Sequence, residues 1–119
     1  MFITENDLNE LAKMLLVTLE ELRSESRKGR IVEARKLLAK YLVDETGKTE
    51  EDAGAMINRH RTSVHYYVKN INERLEIYRY LNAFYQNFRM EANALLFEHT
   101  TTPYMYFLKA SEKVLSQLF

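Results

Sequence analysis

This sequence predicts an all-α protein, a helical bundle containing a helix-turn-helix, and three observations predict it. Only three Gly and one Pro punctuate 119 residues, so the backbone has few forced breaks. Apolar residues recur at steps of three and four along most of the chain. Thr, Ser or Asn stands at several points where a helical stretch would begin or end. The length suits one domain, with a helix-turn-helix core over about residues 30–75 and a helical extension over 76–119.

Thr4 with Asp7 offers a capping-box start, and Leu8, Leu11, Leu15, Leu19 and Leu22 follow at helical spacing, with Ala12 and Leu16 widening the stripe. This predicts a first helix over residues 5–27, ended near Gly29. A second helix is expected over 31–45, with Ala34, Leu37, Leu38, Tyr41 and Leu42 inward and Thr46-Gly47 as its stop. Thr49 and Asp52 open a short helix over 50–57, and Asn58 tolerates the left-handed conformation that ends one. Thr62 or Ser63 can cap the next helix. Its apolar positions Val64, Val68, Ile71, Leu75, Tyr78, Tyr85 and Phe88 predict one run from Thr62 past Met90, with a break near Asn82 or Asn87 as the alternative. Thr102-Pro103 starts a last helix carrying Tyr104, Phe107, Leu108, Val114, Leu115 and Leu118 on one face.

Composition removes several function classes. The chain has no Cys, which excludes disulfides, thiolate metal sites and thiol nucleophiles and suits a reducing cytoplasm. No apolar run approaches the roughly 20 residues that span a bilayer, so no membrane partner is expected. His60, His65 and His99 offer no i, i+4 pair with a carboxylate, so no metal site is expected. Glu50, Glu51 and Asp52 open a helix, where the dipole already accounts for them. The reading is therefore of a protein that is not an enzyme and needs no cofactor.

Seventeen basic residues balance seventeen acidic ones, so a binding surface for phosphates has to come from local segregation. Between Arg23 and Lys40 stand seven basic residues against only Glu25 and Glu33. Arg27, Lys28, Arg30 and Arg35 are the candidates for phosphate contact there. Arg59, His60, Arg61, Thr62 and Ser63 occupy the turn and first positions of the second helix of the helix-turn-helix, the helix that usually enters the DNA major groove. The arginine fork matches guanine O6 and N7, and the hydroxyls can reach base edges or a phosphate.

Arg30-Ile31-Val32-Glu33-Ala34-Arg35, then Thr46-Gly47, Asp52-Ala53-Gly54 and Arg59-His60-Arg61-Thr62-Ser63-Val64 together resemble the DNA-binding domain of the bacterial replication initiator DnaA. The resemblance covers about residues 27–75. It implies a helix-turn-helix that reads a short duplex site, with a basic loop before its first helix gripping the backbone. His60-Arg61 replaces the family's Asp-His pair, and Asn58 stands where the family has two glycines. The initiator's ATPase loop has no counterpart in this sequence.

Tyr66, Tyr67, Tyr78, Tyr80, Phe84, Tyr85 and Phe88 nearly encircle the long helix. Interleaved with Arg74, Arg79 and Arg89 they could stack on single-stranded bases, but such residues more often fill a core or an interface. Two function classes stand side by side. One is double-stranded DNA binding, with a homodimer or a protein partner engaged through the C-terminal helices. The other is an all-helical interaction module that keeps the fold without the DNA surface.

Overall fold

Residues 2–97 are described in a computed structural model of the chain, and among them six helices and no strand form. Helix α1 spans Glu5–Met14 and α2 spans Leu19–Arg23. The expected single helix over 5–27 is thus two helices, and the break has a local cause. Thr18 and Glu21 form a full capping box: Thr18 Oγ1 accepts from Glu21 N at 3.0 Å, and Thr18 N donates to Glu21 Oε1 at 2.9 Å. Thr4 and Asp7 do the same for α1. A second helix start therefore competes with continuation of the first. The chain turns between them at Leu16, whose φ is +64° and whose side chain points to solvent instead of widening the apolar stripe.

Helix α3 spans Gly29–Asp44, α4 Glu50–Met56 and α5 Arg61–Ile77. The expected inner face of α3 is observed: Ala34, Leu37, Leu38, Tyr41 and Leu42 are all buried. Each such leucine contributes about 1.5–3 kcal/mol by leaving water. Asn58 ends the short helix with φ +57°, as its residue type suggests. The cap of α5 is His60, not Thr62 or Ser63, because Nδ1 of His60 accepts from Thr62 N at 3.1 Å.

The expected long helix ends early. Tyr78 leaves the helical region, with φ −107° and ψ 106°, and α6 runs over Arg79–Phe97. Tyr78 N still donates to Arg74 O, and Tyr78 O already accepts from Asn82 N, so one residue serves both helices. Continued straight, the run to Phe97 would reach about 55 Å and carry its apolar residues past the core. The bend instead lays Leu81, Tyr85, Phe88, Ala92 and Leu96 back into it, with α6 against α1 and α5. Helix α3 packs on α1, α2, α4 and α5. It reaches α6 through Tyr41, whose ring meets Phe88 at 5.3 Å and whose hydroxyl donates to Asn93 at 2.7 Å. The last helix expected after Pro103 lies outside the described residues, as does its contribution to any partner surface.

Candidate nucleic-acid interface

A close approach makes the turn between α4 and α5. Arg59 N donates to Gly54 O at 2.8 Å, and a Cβ on Gly54 would stand 2.3 Å from the Arg59 carbonyl oxygen. Gly54 is thus required by backbone packing. The turn presents Asn58, His60 and Arg61 to solvent, with Arg59 half-buried. Glu51, Ala55, Arg59, His60 and Arg61 line an open cleft of about 400 Å³ beside it.

The end of α2 and the first residue of the 24–28 loop are stitched to the α4–α5 connection. Arg59 Nη2 donates to the Ser24 carbonyl, Arg23 Nε donates to Met56 O at 2.9 Å, and Asn58 Nδ2 reaches Arg23 O at 3.5 Å. The segment that leads to Arg27 and Lys28 is therefore tied, at Arg23 and Ser24, to the connection that carries Asn58 and Arg59. Arg27, Lys28, Arg61 and Thr62 are exposed, and no ion pair among the described residues engages the three cations. Arg30 is exposed but paired with Glu21 at 2.7 Å. Exposed pairs of this kind are weak and screened by solvent, so another anion can compete for Arg30. His60 Nδ1 is occupied by the cap and lies 3.0 Å from Thr62 Oγ1. Ser63 is half-buried.

Arg35 departs from the expectation of a phosphate contact. It is 2% exposed and donates to the carbonyls of Leu22, Ser26, Ser24 and Glu21, from 2.7 to 3.1 Å. Its place on α3 faces inward, and main-chain oxygens satisfy the guanidinium there. Burial, with the neighbouring Arg59 charge, lowers its pKa from the usual arginine value.

The helix termini differ in charge. Helices α1, α2 and α4 start with a threonine cap and acids in the first turn, the arrangement the dipole favours. Helix α3 has no side-chain cap and no acid there, and Arg27, Lys28 and Arg30 surround its start. Helix α5 also lacks a first-turn acid and begins with Arg59, His60 and Arg61. The Ser24 carbonyl, which accepts from Arg35 and from Arg59, ties the segment leading into the first of these starts to the turn before the second.

Lys69 was not among the sequence candidates and Tyr66 was weighed only as a stacking, core or interface aromatic, yet both are exposed on α5 in line with Thr62. The spacing 62, 66, 69 was available, but the apolar reading of Tyr66 concealed it. His65 contacts Glu50 at 3.1 Å, which draws one imidazole toward the acidic start of α4. Among the described residues no group of three His, Cys, Asp or Glu gathers at metal-binding distance, and no helix is long and apolar enough to cross a membrane.

Fold and site together define an all-α protein built around a helix-turn-helix with a basic flank. No protein-family model, curated protein or solved structure matches this chain.

Proposed function

We propose that the chain is a non-enzymatic protein that binds double-stranded DNA, with α5 in the major groove and the 24–28 loop on the adjoining backbone. The observation that carries this reading is the pair of cationic helix starts. Positive side chains at the positive end of a helix dipole are unfavourable on their own, and a phosphate between them reverses the sign. Arg27, Lys28 and Arg30 then serve phosphates, while Arg61 and Thr62 meet base edges and Arg59 and His60 shape the turn. A role in replication or transcription control follows the resemblance over residues 27–75. The test is a titration of random duplex DNA at two salt concentrations. Changing Arg27, Lys28 and Arg30 together to Ala should weaken binding to every sequence and flatten the salt dependence by about one unit per lost contact. Full binding by that variant would remove the proposal.

A second reading, association with another copy or a protein partner, is favoured by Ile77, Tyr78 and Tyr80. These are 69%, 42% and 70% exposed at the α5–α6 corner, where large apolar side chains gain from being covered. Sedimentation equilibrium at micromolar concentration decides the homodimer: a 14.2 kDa monomer throughout would exclude it.

A further inference from the structure

Arg35 lies in an apolar layer. Ala34, Leu37, Leu38 and Ala39 beside it on α3 are buried. A guanidinium in such a place is tolerated only where hydrogen bonds replace its lost water. None of the ion pairs among the described residues includes Arg35. Its donors instead collect Glu21 O at 3.1 Å, Leu22 O at 2.8 Å, Ser24 O at 2.7 Å and Ser26 O at 2.7 Å. These carbonyls belong to the end of α2 and to the loop leading into α3. The same Ser24 carbonyl accepts from Arg59, so this loop is tied at once to α3 and to the turn before α5. Locally, Ser24 Oγ donates to Glu21 O at 2.7 Å, whereas the bonds further along the loop are longer, from Ser26 N to Ser24 Oγ at 3.2 Å and from Lys28 N to Ser26 Oγ at 3.3 Å. Arg35 is the side chain that holds the loop at both the Ser24 and the Ser26 carbonyl.

We infer that Arg35 is a positioning residue for phosphate binding: it holds the 24–28 loop so that Arg27 and Lys28 stand beside the start of α5. This rests on the DNA-binding reading above and assigns Arg35 no contact with DNA. A planar fork can gather four carbonyls, whereas an ammonium is a point charge with three rotatable donors. Arg35→Lys therefore keeps the charge and removes the positioning.

The experiment measures duplex DNA binding against salt for the full chain, Arg35→Lys, Arg35→Met, the Arg27→Ala/Lys28→Ala pair and the combination of that pair with Arg35→Lys. Tryptic nicking after Arg27 and Lys28 is followed under native conditions on the full chain, Arg35→Lys and Arg35→Met, which keep both sites. Positioning predicts that Arg35→Lys loses about two units of the log–log salt slope, as the pair does. The combined variant should lose no more than either, and nicking of Arg35→Lys should accelerate severalfold over the full chain while the helical circular dichroism is kept. Wild-type slope in Arg35→Lys, or additive losses in the combination, would overturn the inference. So would unchanged nicking, or collapse of the helical signal in both Arg35 variants, which would leave Arg35 a core residue alone. If the wild-type chain binds no duplex at low salt, the DNA reading falls and the phosphate role falls with it. The nicking result then still reports separately whether Arg35 anchors the loop.

Discussion

Among the described residues, Leu16 and Asn58 adopt the left-handed backbone that L side chains resist, and they differ in what compensates them. Asn58, at φ +57°, is of a type that visits this region, and its amide reaches the Arg23 carbonyl. Leu16, at φ +64°, has a side chain 76% exposed and no comparable reward. Glycine there relieves roughly 1–2 kcal/mol of backbone strain against roughly 0.5–1 kcal/mol of added chain entropy. Leu16→Gly should therefore raise the urea midpoint slightly, and a lower midpoint would mean that the leucine side chain contributes to packing. Gly54 presents the opposite case. Gly54→Ala drives a Cβ into the Arg59 carbonyl and toward Val64 Cγ2 at 3.3 Å. Since backbone must yield, a loss of about 1–3 kcal/mol is expected, measurable by thermal unfolding, together with weaker DNA binding as Arg59 shifts. For the proposed base contact, Arg61→Ala should cost about 1–3 kcal/mol at a cognate site and relax specificity there. An equal loss on every duplex would assign Arg61 to the backbone.

At the scale of the helices, caps decided more than apolar periodicity did. The stripe from Leu8 to Leu22 reads as continuous because both α1 and α2 bury leucines on the same core. Thr18-Leu19-Glu20-Glu21 held the break in plain sight, as a second capping box inside the stripe. Removing it by Thr18→Ala should lower stability by about 0.5–2 kcal/mol and fray α2, which chemical denaturation and amide exchange over Leu19–Arg23 can test. The Tyr78 break was less legible, since neither Gly nor Pro marks it. Tertiary packing places it: Leu81, Tyr85 and Phe88 have to return to α1 and α3. The short helix, Asn58 and the inward face of α3 were legible because each depends on its own residue types. Arg27, Lys28 and Arg61 were legible as a charge run, whereas Arg35 was not. Its burial follows from carbonyls of a neighbouring loop, which leave no mark in the spacing of α3.

Across the whole molecule, titration offers a check on how the helices are joined. Burial, aided by the nearby Glu45 charge, holds the hydroxyls of Tyr41 and Tyr85 well above the usual tyrosine range. The folded state therefore favours their neutral forms. Their contribution is complete below the unfolded value of about 10 and declines as pH rises from there toward the folded values. Thermal midpoints should fall in alkaline solution, and Tyr41→Phe should flatten that fall while leaving Asn93 without its donor. An unchanged alkaline profile in Tyr41→Phe would show that Tyr41 does not carry it. On the acid side, hydrogen bonding to Arg23 lowers the Glu5 pKa, and bonding to the Thr18 backbone and then to Arg30 lowers that of Glu21. Their stabilisation is present above the ordinary carboxylate value and fades as pH falls through the folded values. The packing of α6 on α1 has a consequence in time as well as in space. Helix α1 leaves the ribosome before α6 does, so that contact has to await synthesis through α6. Until then the apolar side of α1 depends on α2 and α3 for cover. A chain released after Ile77 should accordingly bind a hydrophobic dye and engage chaperones, and one extended through Phe97 should do so less.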